Sequence, residues 1–223
     1  MLIQHCLIKG LGARASKTLF EDALKLVRER GRLMKESGEL HPGGMAAVVG
    51  LDDQALREVV QEAQSEGVVT LANANSPGQT VLSGEVAALT RAMELAKARG
   101  ARLVQRLAVS IASHSPLMQQ ASQHFNELIS RINLRPPEVP LISNITAQAL
   151  TTVEDLRKEL SEQLTRPVQW TRSVQEMVSS GVDTFVEIGP KQVLSGLIKR
   201  ITPESRPITL TDAEVVKLLL TAE

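Results

Sequence analysis

A chain of 223 residues with 43% apolar and 22% charged side chains can bury a sizeable core, as one large or two small domains. Its 25 basic residues balance 25 acidic ones, so no overall field draws it to nucleic acid or to an anionic membrane. Three Phe, one Trp and no Tyr leave few platforms for stacking bases, and the lone Cys6 excludes an internal disulfide or a thiolate metal cluster. The four histidines lack ligand spacing with carboxylates, so no metal is expected. No apolar run reaches bilayer length, and the opening stretch lacks a signal-peptide pattern. The expectation is a soluble, cytoplasmic protein without a membrane or nucleic-acid partner.

Residues 1 to 17 have no clear period and read as an ill-fitting leader. Thr18 and Glu21 have capping-box spacing, and Phe20, Ala23, Leu24 and Val27 predict a helix to about Glu36, stopped by Gly38 and the Pro42-Gly43-Gly44 cluster. Met45 to Gly50 is a short apolar strand, and Asp52 caps a helix running through Gln64 to a stop at Gly67. Val68 to Ala72 and Thr80 to Ser83 are two strands joined by Asn73-Ala74-Asn75-Ser76-Pro77-Gly78-Gln79, whose Pro and Gly force a turn. A helix from about Glu85 to Ala98 ends at Gly100, and Arg102 to Val109 alternates as a fourth strand.

Strand, helix, strand, strand, helix, strand is the split βαβ, ferredoxin-like order, so residues 44 to 109 are expected to fold as one small unit. Beyond His114 a helix runs through Phe125 to Ile132 and stops at Arg135-Pro136-Pro137. Val139 to Ser143 reads as a strand, with helices at about 153–163 and 170–179. Thr184 to Ile188 reads as a buried strand broken by Gly189-Pro190, with a helix from Val193. The alternation suggests an α/β domain with parallel strands, formed by residues 1–43 and 110–223, into which the small unit is inserted.

Five segments in order give this pattern an identity. They are Phe20-Glu21-Asp22-Ala23 with Arg28 to Met34, Gly44-Met45-Ala46-Ala47-Val48, Asn73 to Gln79, Ser113-His114-Ser115-Pro116-Leu117-Met118, and Pro167-Val168-Gln169-Trp170 with Glu187-Ile188-Gly189-Pro190. Together, from about residue 19 to about 201, they resemble the carboxy-terminal two-thirds of a malonyl-CoA:acyl-carrier-protein transacylase, of the acyltransferase family of fatty-acid and polyketide synthesis. The resemblance implies a partial α/β-hydrolase-like acyltransferase domain with an inserted ferredoxin-like small domain. It also implies transfer of a malonyl group from malonyl-CoA to the phosphopantetheine thiol of an acyl-carrier protein, by a ping-pong route through a serine and with no cofactor.

Residue by residue, His114 matches the family's general base, a role imidazole suits because it titrates near neutral pH. Arg30 matches the arginine that holds the malonyl carboxylate, for which a guanidinium offers a planar bidentate fork. Taken alone, Arg28, Glu29, Arg30 and Arg32 read as a solvated charge run. Gln163 matches the position whose main-chain carbonyl fixes the histidine's tautomer, and it reads equally well as a solvated helix-end residue. Asn73, Asn75 and Gln79 lie on the hairpin that borders the acyl cleft in the family, with Asn75 the substrate-binding candidate. Asn beside Pro-Gly is also simply a turn former.

The family's nucleophile sits in a Gly-His-Ser-Leu-Gly elbow one helix before the Phe20 segment, and nothing in residues 1 to 19 matches it. Ser16 lacks the flanking glycines, and the family's amino-terminal strand and Gly-Gln-Gly loop are also missing. The reading is of an amino-terminally truncated member, with a truncated or frame-shifted gene preferred over a naturally short product. Losing such a nucleophile costs on the order of a million-fold in kcat, so the chain alone is expected to be nearly inert. The alternative is a non-catalytic module that binds an acyl-carrier protein or an acyl-CoA ligand. A ferredoxin-like RNA-binding domain would need strand aromatics and a basic face, which are lacking.

Overall fold

The computed structural model describes residues 17–189 and 191–211. The chain adopts the mixed α/β class read from its sequence. Its elements are α1 (Lys17–Leu40), β1 (Gly43–Val49), α2 (Asp53–Ala63), β2 (Val69–Ser76), β3 (Gln79–Glu85), α3 (Val86–Ala98), β4 (Leu103–Arg106), α4 (Gln119–Ser130), β5 (Leu141–Ile142), β6 (Ala149–Leu150), α5 (Val153–Glu162), α6 (Trp170–Ser179), β7 (Thr184–Ile188), α7 (Val193–Ile201) and β8 (Arg206–Leu210).

Four strands form an antiparallel sheet in the order β2-β3-β1-β4. Period-two alternation gives this sheet two different faces. Ala46, Val48 and Leu82 point to the side covered by α2 and α3, where Leu56, Val59, Leu89 and Ala92 close a dry core. Met45, Ala72 and Val81 form a smaller apolar patch with Leu107. Asp52 caps α2 as expected, its carboxylate accepting from Ala55 N–H. The hairpin is tighter than the sequence suggests. Asn73 to Ser76 stay in β2, which is bulged at two points, and the turn narrows to Pro77-Gly78.

A second core unites α1, α4 and α5 through Ala23, Leu26, Leu33, Met118, Phe125, Ile129, Leu156 and Leu160. Two short pieces complete the architecture. β5 pairs antiparallel with β6, while β7 and β8 run parallel with α7 as their crossover. The sequence reading places no strand at β6 or β8. It also reads β7 as buried, which the structure corrects: Val186 and Ile188 are 53% and 52% exposed, because α7 packs on one side only of the strand pair. The Glu187 carboxylate accepts from the backbone of Leu194 at 3.0 Å and of Ser195 at 2.7 Å, satisfying free N–H groups at the start of α7. Burial raises its pKa, but these hydrogen bonds outweigh burial and hold it below the ordinary carboxylate value. The capping-box side chain of Thr18, the leader and Pro190 lie outside what is described.

Two glycine readings change with the structure. Gly38 does not end α1, which continues to Leu40; a Cβ there would sit 3.0 Å from Ile111 Cγ1, so the glycine lets the helix press against the segment before His114. Gly43 is not a turn residue but the first residue of β1, where a Cβ would meet the Gly84 carbonyl at 2.7 Å and Ala112 Cβ at 2.8 Å. The backbone of the sheet at Gly43 therefore packs directly on the Ala112 methyl of the histidine segment. Gly43→Ala is expected to cost about 1–3 kcal/mol of stability through overpacking against atoms that cannot rotate away. A urea unfolding midpoint equal to that of the parent chain would contradict this.

Candidate active site

The site grows out of α1. Ala23, Leu26, Leu33 and Ser37 recur at helical spacing on its buried stripe, and Arg30 falls on that same stripe, four residues after Leu26 and three before Leu33. Arg28 is exposed, and Arg32 is engaged by Glu29 at 2.8 Å and Glu36 at 2.5 Å on the outer face. Arg30 has no ion pair or hydrogen bond among the described residues. Burial lowers its pKa to about 10, which still leaves it cationic at neutral pH. A half-buried guanidinium with no anionic partner among the described residues has the fork geometry to take a carboxylate in two hydrogen bonds.

His114 faces it from the loop between β4 and α4. Its φ of 58° lies in the left-handed region, which costs a residue other than glycine about 1–3 kcal/mol and persists only if neighbours hold it. Ser115 supplies one restraint, with its fully buried hydroxyl donating to the Ala112 carbonyl at 2.6 Å across the histidine. Pro116 starts a short 3₁₀ turn, Pro116–Met118, and Ser37 of α1 donates to the Leu117 carbonyl at 2.9 Å. The Ser-His-Ser-Pro-Leu-Met run is thus a device for presenting one strained imidazole.

The ring is oriented from the other side. His114 Nδ1 lies 2.7 Å from the main-chain oxygen of Gln163, at the end of α5. A carbonyl oxygen only accepts, so Nδ1 carries the proton and Nε2 keeps its lone pair. Burial pushes the His114 pKa down to about 4; the Gln163 bond opposes this, and the nearby charge of Arg30 adds to it. The arrangement is a neutral base with one defined free nitrogen. No hydroxyl among the described residues is hydrogen-bonded to that nitrogen.

The structure therefore brings His114, Gln163 and Arg30 together. Asn75 is not joined to them by any described hydrogen bond; it is half-buried and, like Ala72, is skipped in the β2-β3 register at a bulge. Gln79 is engaged elsewhere, accepting from Arg200 at 2.6 Å. Asn73 forms an isolated bridge with Val168, so the Pro-Val-Gln-Trp segment is stitched to the small sheet. Val168 N–H donates to the Ala72 carbonyl at 2.8 Å and Ala74 N–H to the Val168 carbonyl at 2.9 Å.

Sequence reasoning missed Glu159. It is 3% exposed on α5, one turn before Gln163, and its side chain accepts from Ser143, Asn144 and Gln163. The signal was present: Leu156, Glu159, Leu160, Gln163 and Leu164 share one helical face, so two polar residues sit on an otherwise apolar stripe.

The neutral state of His114 has a pH signature. Between about 6.5 and about 4 the unfolded chain takes up a proton there that the folded chain refuses, so this contribution weakens folding as pH falls through that window. In ¹⁵N spectra, His114 should remain neutral and Nδ1-protonated at pH 5.5. A resonance titrating at or above pH 6.5 would contradict the geometry.

Comparison with known proteins gives the same reading. The acyl transferase domain model matches residues 12–218. The malonyl CoA-acyl carrier protein transacylase of Bacillus subtilis (strain 168) is 40% identical over 202 residues, which are 90% of this chain and 64% of that protein. This chain thus spans under two thirds of that relative's length. Among solved structures, the malonyl-CoA:acyl carrier protein transacylase of Xanthomonas oryzae pv. oryzae superposes with a TM-score of 0.88 at 38% identity, covering 97% of this chain and 68% of that one. A malonyl-transacylase solved in complex with its type II polyketide acyl-carrier protein gives 0.85 at 34% identity, covering 92% and 66%. With a match of this length and identity, the chain belongs to the acyl transferase domain family.

Proposed function

We propose that this chain carries the base and the carboxylate clamp of a malonyl-CoA:acyl-carrier-protein transacylase site. The observation that carries the reading is Arg30, a half-buried guanidinium with no anionic partner among the described residues, near enough to His114 to help depress its pKa. Malonyl differs from acetyl by a carboxylate, and that group is what Arg30 lacks. Binding it would neutralise the arginine and make His114 more basic where a proton must be taken. Malonyl-CoA is then substrate, the phosphopantetheine thiol of an acyl-carrier protein is acceptor, and no cofactor is needed.

In this mechanism His114 Nε2 takes the proton of a serine hydroxyl as its oxygen attacks the thioester carbon. The imidazolium returns the proton to the departing coenzyme A thiolate, leaving a malonyl-serine, and the carrier's thiol reverses both steps. Gln163 holds the tautomer through its carbonyl, and Asn75 lies on the wall of the acyl cleft. No serine of this chain matches that nucleophile, in keeping with the lack of a hydroxyl hydrogen-bonded to His114 Nε2 among the described residues. Residues 44–109 are a ferredoxin-like unit inserted into a larger domain formed by 1–43 and 110–223, a division that the β2-β3-β1-β4 order and the separate cores support. The setting is cytoplasmic; no helix among the described residues is long and apolar enough to cross a membrane.

The unpartnered Nε2 also favours a second reading, in which this chain binds acyl-CoA or acyl-carrier protein without turnover. Both readings need Arg30, so binding is the decisive test. Titration calorimetry should show malonyl-CoA binding more tightly than acetyl-CoA by about tenfold or more, as a charge-assisted bond of about 1.5–3 kcal/mol requires. Arg30→Ala should erase that difference and leave acetyl-CoA binding unchanged. Equal affinities in the parent chain would sink the carboxylate clamp.

A further inference from the structure

We infer that Glu159 is a positioning residue for His114, acting through Gln163 and through the loop at Ser143 and Asn144. The inference rests on reading His114 as the base. Glu159 is buried and surrounded by donors: Ser143 Oγ at 2.5 Å, Asn144 N–H at 3.0 Å, Asn144 Nδ2 at 3.0 Å and Gln163 Nε2 at 3.1 Å. Both oxygens accept, and no ion pair to it occurs among the described residues. Only a group that accepts at both ends satisfies this ring of donors; an amide would turn an NH₂ toward one of them.

Two ties leave this carboxylate. One runs to Gln163, whose side chain it holds and whose carbonyl, on the same residue, sets the His114 ring. The other runs to the loop after β5. Ser143 Oγ, while donating to Glu159, accepts from the backbone of Ile145 at 3.2 Å and Thr146 at 3.0 Å, so the loop folds around it. The carbonyl of Asn144 accepts from Gln169 N–H at 2.6 Å, and Gln169 follows Val168, which bridges to Asn73 of β2. One buried carboxylate therefore ties the histidine's anchor to the segment that joins the small sheet. Hydrogen-bonded supports of this kind fix ring orientation and tautomer. Glu159 touches no reacting atom.

The test uses the full chain labelled with ¹⁵N-histidine, reading His114 nitrogen shifts at pH 7. The parent chain is expected to show the Nδ1–H pattern. Glu159→Gln is expected to lose it, giving averaged nitrogen shifts from a mixture of tautomers. A merely structural role would lower the unfolding midpoint and leave that pattern in place, and this outcome in a folded Glu159→Gln overturns the inference. If Glu159→Gln fails to fold, Gln163→Ala decides: it keeps the carbonyl and removes the tie, so averaged shifts support the inference and an intact pattern overturns it. An Nε2–H pattern in the parent chain would overturn the assignment of His114 itself, and Glu159 with it.

Discussion

The 2.7 Å contact between His114 Nδ1 and the Gln163 carbonyl is the constraint on which the rest of the site depends. It links two parts of the chain 49 residues apart, decides which ring nitrogen keeps a lone pair, and opposes the loss of basicity that burial imposes. Everything around it serves to hold its two ends. Ser115, Pro116 and Ser37 hold the strained histidine loop, while Thr152 and Asp155 form a capping box that starts α5 and so places its far end at Gln163. Arg30 completes the electrostatics from the third side. A cation that would ordinarily be solvated is kept half-buried by the apolar stripe it sits on, and its field adds to the burial that keeps the imidazole neutral.

The joint between the small sheet and the larger body carries the same logic. Gly43 lets β1 press against Ala112, whose Cβ would lie 2.8 Å from a Cβ added there, while Gly84 lets β3 approach β2 at Val68 and Val69. On the far side β2 is sewn to Val168 and, through Thr171, whose hydroxyl donates to the Ala74 carbonyl at 3.0 Å, to α6. Strand β2 and the segment that leads into α6 are thus held together by main-chain contacts.

Much of this was legible in the sequence, for identifiable reasons. Helices α2, α3, α5 and α6 announced themselves by period and by caps such as Asp52, and the alternating strands of the small sheet by Pro77-Gly78 between them. His114 was legible only through its motif, since a lone histidine carries no periodic signal. Arg30 was legible only through the resemblance, because the charged run Arg28, Glu29, Arg30 and Arg32 hides that it alone falls on the Ala23-Leu26-Leu33-Ser37 stripe. Glu159 left the same trace on α5 and was passed over. Glycines were misread where they serve packing: Gly38 and Gly43 resemble helix stops locally, and only the position of Ile111 and Ala112 in space reveals their purpose. β7 was misread because an apolar run does not reveal whether one or both of its faces are covered. β6 and β8, short or partner-dependent, have no local signal of their own.

The measurement that tests the central claim most directly is a structure of the chain with malonyl-CoA bound. The account predicts the malonyl carboxylate on the Arg30 guanidinium, with the thioester carbonyl beside Nε2 of His114. A carboxylate resting in solvent or on another cation, with Arg30 still unpaired, would contradict it.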